Sequence, residues 1–357
     1  MNKAQHLKKG DTIAVVSLSS GILGEKFASH QKILGIKRLE KMGLNVIFGE
    51  NSLKGVDFIK NNPEARAEDL KKAFANQEVR AIICAIGGED TYKTIPYLME
   101  DEEFINLVKN NPKIFTGYSD TTVNHLMFYK LGLQTFYGPA FLVDFAELGD
   151  KMLKYTSKSI KYFFNQYNKY KVKSSPVWYE ERTDFSEKSL GIDRIKHEEM
   201  YGFEVIRGSG VVRGRLLGGC IESLHYLLTG ENCPDQKEIS EKYKIFPDIK
   251  EWKDKILFLE TSEMKPSPDD YKLFIQSLKD KGIFDVVKAV LIGKPQDEGH
   301  YEEYKQILKD SIENVPIMYN INFGHCHPKT ILPYNILTEV DFSKKTITYL
   351  ENSLIKK

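Results

Sequence analysis

The chain has 357 residues, more than one hydrophobic core usually holds, so two domains are expected. Its 51 Lys and Arg residues nearly balance its 50 Asp and Glu residues, which argues against nucleic acid and anionic membranes as partners and favours a small molecule. Without a signal-peptide pattern or an apolar run of about 18 residues, the protein is expected to be cytoplasmic.

The first third of the chain alternates strand-like and helix-like segments. Buried strands are predicted at residues 12–19, 45–49, 79–88 and 112–117, and amphipathic helices at 26–43 and 65–76. This alternation predicts a parallel sheet covered by helices on both faces. Such sheets bind ligands at the carboxyl ends of their strands, so the residues that follow each strand are the first place to look for chemistry.

The pattern weakens between about residues 145 and 196. Residues 151–175 indicate a basic helix with a tyrosine-rich tail, and 181–200 form a mixed polar segment. Alternating apolar residues and glycines at 203–219 then predict twisted antiparallel strands, followed by strands at 255–260, 286–294 and 315–325. We therefore expect an N-terminal α/β domain at 1–145, a linker or insert at 146–195 and a C-terminal β-rich α+β domain at 196–357.

Ser119 follows the fourth predicted strand and precedes a helical pattern that starts at Thr121. A strand, a sharp turn with a serine and a helix are the context of a nucleophile elbow, in which the next N–H group, here that of Asp120, points at the same position as the hydroxyl. The glycine spacing departs from G-x-S-x-G, because Thr121 stands two positions after the serine. A helix N-cap explains the same residues equally well.

Two glycines, Gly87 and Gly88, end the third strand and precede Glu89, Asp90 and a short helix. Paired glycines expose backbone N–H groups, which at a helix N-terminus suit an anion or a developing oxyanion. The segment also resembles the G-G-D-G-T turn of nucleotide-binding kinases, but Glu89-Asp90 replaces Asp-Gly and no Walker-type motif occurs elsewhere. An ordinary strand-to-helix turn is the remaining interpretation.

A later apolar strand ends at Glu260, where a carboxylate can orient a histidine, although such a charge often only marks the strand reaching water. Glu263 competes with Glu260 for this role. His325 and His327 lie in a loop after another apolar strand, which makes a histidine there a candidate general base. Metal binding is disfavoured, because alternate residues of an extended loop point oppositely and the four scattered cysteines, interpreted as reduced, complete no ligand cluster.

Serine, acid and histidine thus follow one another along the chain as Ser119, Glu260 and His325, with a glycine turn for a second oxyanion donor. On these residues the sequence resembles the serine peptidases that include LD-carboxypeptidases and the microcin C immunity protein MccF. The resemblance covers nearly the whole chain and is carried by short motifs, namely GDTIAVVSLSSG, AIGGED, GYSDTT, YGPA, GRLLGGCIESLHYLLTG, LETSE, GKP and FGHCHPKTILP.

The resemblance implies a flavodoxin- or amidotransferase-like N-terminal α/β domain that carries the serine, and a C-terminal domain that carries the acid and the histidine. It implies that Ser119 is the nucleophile, His325 the base and Glu260 the acid that fixes the imidazole tautomer. The oxyanion hole would consist of the backbone N–H groups of Gly88 and Asp120. The resemblance implies that the protein forms a homodimer and that it needs no metal or other cofactor.

The turn at residues 86–90 differs from the R-G-G-Y-G of LD-carboxypeptidases and is closer to the MccF branch. Some members of that branch stack a tryptophan on a nucleobase of the substrate, and either Trp178 or Phe203 is the equivalent residue here. Glu89 and Asp90 are further candidate substrate contacts. We therefore expect hydrolysis of an amide bond in a peptidyl- or aminoacyl-nucleotide. The alternatives are release of terminal D-Ala from a murein tetrapeptide and non-catalytic nucleotide binding.

Overall fold

The structure is a computed structural model that describes residues 1–356. The chain forms two compact units, neither of which is continuous in sequence. The first unit contains residues 1–166, residues 182–194 and the C-terminal residues from Ser353 onward. The second unit contains Tyr167–Glu181 and Ile195–Asn352. The segment 146–195, expected to be a linker or insert, is therefore divided between the two units.

The first unit is built on parallel strands. These are β1 (Thr12–Val16), β2 (Asn45–Phe48), β3 (Val79–Cys84), β4 (Ile114–Gly117) and β5 (Phe136–Tyr137), and they lie side by side in the order β5-β4-β3-β1-β2. All residues of β1 and β4 are buried, as expected for strands covered on both faces. Since β3 and β4 are parallel neighbours, the turns after their carboxyl ends lie at the same edge of the sheet.

Helices connect these strands, and each boundary has a local cause. Pro63 opens one helix at a position where its missing N–H costs nothing, and Gly132 closes another in a left-handed conformation at φ +82°. The Asp101 side chain accepts a hydrogen bond from the Phe104 N–H at a third helix start. The α-helices of this unit are α1 (Ser29–Lys41), α2 (Val56–Asn61), α3 (Pro63–Ala75), α4 (Ile95–Met99), α5 (Glu102–Asn110), α6 (Thr121–Leu131) and α7 (Lys154–Ile160).

A buried carboxylate fixes residues 182–194 to the first unit. The Glu147 carboxylate is 2.5 Å from Arg182 Nη2 and 2.6 Å from Arg194 Nε, and all three side chains are at most 7% exposed. Burial alone would raise the pKa of Glu147, but the two guanidinium groups outweigh it and lower the pKa to about 2. The polar segment that the sequence left without a structure is therefore anchored at both of its ends.

The second unit contains a mixed sheet and a small two-stranded ribbon. Its sheet has the order β6-β16-β15-β10-β11-β12-β13-β9, in which the central strands β10 to β13 are parallel and the outer pairs are antiparallel. The ribbon pairs β7 with β8. The strands of the sheet and the ribbon are β6 (Tyr170–Val172), β7 (Val177–Tyr179), β8 (Lys196–Glu198), β9 (Glu204–Arg207), β10 (Val211–Cys220), β11 (Lys255–Glu260), β12 (Ala289–Gly293), β13 (Ile317–Ile321), β15 (Leu337–Asp341) and β16 (Thr346–Tyr349). The two-residue strand β14 (Leu332–Pro333) belongs to neither.

The helices of the second unit follow the parallel strands. They are α8 (Ile221–Thr229), α9 (Pro234–Tyr243), α10 (Ile249–Trp252), α11 (Pro268–Asp280), α12 (Ile283–Val286) and α13 (Tyr301–Ser311). Helix α8 starts directly after β10, and seven residues, which include an exposed turn, separate the end of β11 from the start of α11. As in the first unit, the functional loops therefore follow the carboxyl ends of parallel strands.

The predicted fold class, a parallel-sheet α/β region followed by a strand-rich region, is confirmed. The basic helix predicted within residues 151–175 is present as α7, which continues into a short 3-10 helix at Lys161–Phe163, while the tyrosine-rich tail forms the strand β6 by pairing with β16. Residues 203–219 form β9 and β10, each of which has an antiparallel neighbour as predicted, although the two strands lie at separate places in the sheet. Within residues 1–356, no helix has the length and apolar character needed to cross a bilayer.

Candidate active site

Ser119 occupies a strained turn between β4 and α6. Its backbone φ of +67° lies in the left-handed region, which a residue with a side chain adopts at a cost of about 1–3 kcal/mol. The turn is held from both sides: the Ser119 carbonyl accepts from the Thr122 N–H at 2.9 Å, and the Ser119 N–H donates to Tyr137 Oη at 3.0 Å. A left-handed serine between a strand and a helix is typical of a nucleophile elbow.

The two glycines after β3 pack against this turn. A Cβ atom on Gly87 would lie 2.7 Å from Ser119 Cβ and 2.9 Å from Ser119 Oγ, so only glycine fits there. Gly88 is exposed and has a φ of +153°. Among residues 1–356, the N–H groups of Gly88 and Asp120 donate to no other backbone or side-chain group. Both N–H groups are therefore available to an anion beside the serine.

The Asp120 carboxylate stabilises the two turns together. Its Oδ2 atom accepts from Ser19 Oγ at 2.7 Å and from the Thr91 N–H at 2.8 Å. Burial raises the pKa of Asp120 to about 6. The Ser19 hydroxyl in turn accepts from the Asp90 N–H at 3.2 Å. Residues from three strand ends thus fix the backbone around Ser119.

The two acidic residues of the glycine turn have different environments. Asp90 Oδ1 lies 2.7 Å from Nη1 of Arg66, a fully buried residue, and Asp90 Oδ2 lies 3.3 Å from Lys93 Nζ. Arg66 also donates to the Leu18 carbonyl at 3.1 Å. Glu89 is exposed. Of the two predicted substrate contacts, Asp90 is already engaged in an ion pair, whereas Glu89 faces water.

In the second unit, Glu260 and His325 form a hydrogen-bonded pair. His325 Nδ1 is 2.7 Å from Glu260 Oε2, and the same oxygen accepts from the His325 backbone N–H at 3.0 Å. Both side chains are nearly inaccessible to water, since 6% of the His325 side chain and 1% of the Glu260 side chain are exposed. A carboxylate on Nδ1 fixes the imidazole ring and its tautomer, as the acid of a catalytic triad does.

Glu263 contacts the other nitrogen of the same ring. His325 Nε2 lies 2.8 Å from Glu263 Oε2. Burial alone would lower the pKa of His325, but the carboxylates of Glu260 and Glu263 outweigh it and raise the pKa to about 10. The hydrogen bond with His325 lowers the pKa of Glu263 to about 2. The two glutamates therefore differ in position, because Glu260 contacts Nδ1 of the ring and Glu263 contacts Nε2.

Two glycines and a second carboxylate surround Glu260. A Cβ atom on Gly324 would lie 2.3 Å from Glu260 Oε2, and one on Gly293 would lie 2.7 Å from Glu260 Cβ. Glu222, at the start of α8, accepts from the Ser262 N–H at 2.8 Å and from Cys220 Sγ at 3.1 Å. Burial and the nearby Glu260 raise the pKa of Glu222. The Glu260 carboxylate consequently has little freedom to leave His325.

We expect Gly324→Ala to reduce activity far more than Gly132→Ala. Both glycines have nearly the same φ, +81° and +82°, so alanine meets the same backbone strain at each. Only at position 324 does the new methyl group overlap a neighbour, the Glu260 carboxylate, whereas nothing lies within 4 Å at position 132. Hydrolysis rates compared at equal folded fraction, measured by thermal denaturation, test this expectation. Equal losses in the two variants would contradict it.

The two candidate stacking residues are both buried. Trp178, on β7, is 9% exposed, and its ring stacks on the His197 ring with 4.2 Å between the two centroids. Lys294 Nζ lies 5.2 Å from the centroid of the Trp178 ring. Phe203 is 3% exposed. The end of β7 is bonded to the histidine loop, because the Tyr179 N–H donates to the His327 carbonyl at 2.9 Å.

The His327 side chain is part of this attachment. Its Nε2 atom lies 2.8 Å from Glu181 Oε2, which also accepts from Gln296 Nε2 at 2.7 Å. The His327 side chain is therefore held on the segment that follows β7, away from the Glu260 carboxylate that contacts His325. Among residues 1–356, no three His, Cys, Asp or Glu side chains are grouped so that they could hold a metal ion.

The structure brings the predicted residues together in two sets. The first unit joins Ser119 with Gly88 and Asp120, and the second joins Glu260 with His325. Sequence reasoning missed the supporting residues Ser19, Arg66, Tyr137, Glu181 and Glu222, because single polar residues far apart in sequence carry no pattern. Ser19 had one available signal, since it follows a predicted buried strand whose carboxyl end belongs to the ligand-binding edge.

Comparison with known proteins identifies the family. The chain matches the LD-carboxypeptidase N-terminal domain over residues 13–138 and the LD-carboxypeptidase C-terminal domain over residues 213–340. The crystal structure of an MccF-like protein from Streptococcus pneumoniae, in complex with AMP, has a TM-score of 0.92 and 47% sequence identity, over 96% of this chain and 99% of that one.

Two further relatives differ in the activity that their names state. The microcin C7 self-immunity protein MccF of Escherichia coli is 27% identical over 98% of this chain and 96% of its own length. A structure of MccF in complex with aspartyl sulfamoyl adenosine has a TM-score of 0.81 at 26% identity, over 99% of this chain and 100% of that one. The probable murein peptide carboxypeptidase of Bacillus subtilis is 25% identical over 96% of this chain and 93% of its own length. With both domain models matched and the sequence resemblance confirmed, the chain belongs to the LD-carboxypeptidase family of serine peptidases.

Proposed function

We propose that this peptidase is an MccF-like carboxypeptidase or amidase that hydrolyses an amide bond in peptidyl- or aminoacyl-nucleotides with Ser119, His325 and Glu260. The observation that supports it most strongly is the buried carboxylate–imidazole pair, with Glu260 on Nδ1 of His325 at 2.7 Å. The strained turn at Ser119 is the second support, since a left-handed serine between a strand and a helix is typical of an activated nucleophile.

In the proposed reaction, His325 accepts the proton of the Ser119 hydroxyl as the serine attacks the substrate carbonyl. The negative charge on the carbonyl oxygen is stabilised by the N–H groups of Gly88 and Asp120. His325 then delivers the proton to the leaving amine, and water releases the acyl group by the same steps in reverse order. Glu260 remains ionised throughout and stabilises the imidazolium. These groups need neither a metal nor another cofactor for this chemistry.

The nucleotide part of the proposal rests on the relatives and on Trp178. The MccF-like protein from Streptococcus pneumoniae was solved with AMP, and MccF with aspartyl sulfamoyl adenosine. Trp178 is better placed than Phe203 to contact a base, because its strand is bonded to the loop that carries His325. A nucleobase would stack on Trp178 by displacing the ring of His197, whose side chain is 39% exposed.

A murein peptide substrate is the second candidate. One relative is named a probable murein peptide carboxypeptidase, and the family model itself is that of LD-carboxypeptidases. Release of terminal D-Ala from a tetrapeptide would use the same three residues, so catalytic geometry does not separate the two substrates. For either substrate we propose that the enzyme acts in the cytoplasm as a homodimer.

A parallel assay separates the candidates. Purified protein is offered aminoacyl sulfamoyl adenylates and muropeptide tetrapeptides at matched concentrations, with products followed by mass spectrometry, and a serine-reactive fluorophosphonate reports on Ser119. Adenylate cleavage with labelling at Ser119 supports the proposal. D-Ala release without adenylate cleavage replaces it with the murein activity. Tight AMP binding without labelling or turnover would instead identify a non-catalytic nucleotide-binding protein.

A further inference from the structure

Both ring nitrogens of His325 face a carboxylate. Glu260 lies 2.7 Å from Nδ1 and Glu263 lies 2.8 Å from Nε2. The first contact is a hydrogen bond and the second is an ion-pair contact. An ionised carboxylate has no proton to give, and at 2.8 Å it would repel the lone pair of an unprotonated nitrogen, so both contacts favour an N–H on the ring. The arrangement therefore favours the doubly protonated imidazolium, in which the nitrogen that would accept a proton from Ser119 already carries one.

The two glutamates differ in their freedom to move. Glu260 is buried, accepts two hydrogen bonds from His325 and is closely packed by Gly324. The Glu263 side chain is 56% exposed and lies on a turn whose next residue, Met264, is 81% exposed. The turn is anchored on either side of Glu263, through the Ser262 N–H, which donates to Glu222, and through Lys265, which pairs with Asp297. Glu263 can thus leave the ring without disturbing the core, whereas Glu260 cannot.

The charges around the ring favour the closed arrangement at neutral pH. The two carboxylates raise the pKa of His325 to about 10 against the opposing effect of burial, and the pKa of Glu263 falls to about 2. Between these values both groups are charged and attract each other. The other charged groups acting on this loop or on the two glutamates are Glu181, Glu199, Glu222, Lys294 and Lys329, while Lys265 is paired with Asp297.

We propose that Glu263 is a positioning residue that keeps His325 protonated in the resting enzyme, and that the base becomes competent only when this carboxylate moves off Nε2. When it moves, the Nε2 proton passes to water, and the ring remains neutral with its Nδ1–H donated to Glu260. Substrate that displaces Glu263 would then switch on the base in the act of binding. The inference rests on the proposed function for the role of His325, but the protonation state itself does not depend on turnover.

Titration of the full chain by 15N-histidine NMR tests the protonation state directly. The His325 signal is assigned by its loss in His325→Asn, and its pKa is compared between the native protein and Glu263→Gln. Removing one opposite charge in contact should lower this pKa by about 1 to 3. Glu303→Gln, which neutralises an exposed carboxylate on α13, is the control and should leave it unchanged. An unchanged pKa in Glu263→Gln overturns the proposal, even if Ser119 proves to be the nucleophile.

The pH profile of kcat/KM tests the consequence for catalysis, because it reports the ionisation of the free enzyme. A base must be neutral to accept a proton, so activity should rise with pH through the pKa of His325. In Glu263→Gln this rise should move to lower pH, and at pH 6 the variant should exceed the native enzyme by at least about 10-fold. A profile that stays in place while the NMR pKa falls refutes the control of catalysis by Glu263. A fall in the NMR pKa with no turnover and no labelling of Ser119 in either protein refutes the proposed function instead.

Discussion

Ser119→Ala should reduce hydrolysis by at least about 10⁴-fold, because members of a catalytic triad act as a unit and the loss of one removes most of the rate enhancement. The fold should remain intact. Alanine and serine meet a similar strain in the left-handed backbone conformation. The hydrogen bonds of residue 119 to Thr122 and Tyr137 use its backbone and not the serine hydroxyl. Single-turnover kinetics and fluorophosphonate labelling measure the effect.

Ser343→Ala is the matched control, since Ser343 is an exposed serine in the turn between β15 and β16. Its activity and labelling should equal those of the native protein. Circular dichroism and thermal denaturation of Ser119→Ala establish that the loss is chemical. Native-rate hydrolysis by Ser119→Ala would rule out the serine mechanism.

Glu260→Gln should cost about 10³- to 10⁴-fold in kcat, since an amide neither stabilises the imidazolium nor fixes the required tautomer. Glu263→Gln is the variant to compare with it. Each substitution neutralises a carboxylate that contacts the His325 ring, at Nδ1 for Glu260 and at Nε2 for Glu263. We expect the first to inactivate the enzyme and the second to retain or increase activity below neutral pH.

The comparison is made at several pH values, with both variants matched for folded fraction. Loss of activity in Glu263→Gln with full activity in Glu260→Gln would exchange the two roles and make Glu263 the acid of the triad. Equal losses in the two variants would indicate that the imidazole needs both carboxylates during turnover, and would contradict the displacement of Glu263.

Much of the first unit could be predicted because local pattern and tertiary structure agree there. The runs Thr12–Val16 and Ile114–Gly117 are apolar throughout and are fully buried strands, as a doubly covered parallel sheet requires. The turn at Ser119 was also accessible, because the change from strand to helical periodicity occurs within a few residues. Here each local preference points to the same answer.

The middle of the chain could not be predicted for the opposite reason. Residues 167–194 contain short strands and loops whose positions are set by partners more than a hundred residues away, such as β16 for β6 and the His327 carbonyl for Tyr179. No local periodicity encodes such pairings. The basic helix predicted within 151–175 ends at Phe163, and the strand Tyr170–Val172 in the tail was not predicted because its partner, β16, is far away in sequence.

Within the site, residue types were predictable and their contacts were not. An acid at a strand end and a histidine in a loop predict a pair such as Glu260 and His325 from chemistry alone. The second contact, from Glu263 to Nε2, depends on how an exposed turn folds back over the loop. The ion pair between Asp90 and buried Arg66 likewise needs the packed sheet, since Arg66 stands in a helix that sequence reasoning treated only as amphipathic.

The division of the chain into interleaved segments constrains the order in which the protein can be made. The first unit includes residues 353–356, where Ile355 bridges to Gln5 and Ser353 Oγ donates to Tyr162 Oη at 2.8 Å. During synthesis the ribosome releases the strands β1 to β5 long before these residues exist. A domain that begins the chain ordinarily completes its folding first. In this protein the N-terminal sheet can gain its contacts with Ser353 and Ile355 only after the intervening second unit has been synthesised, so the first unit completes its packing after the chain of the second unit has emerged.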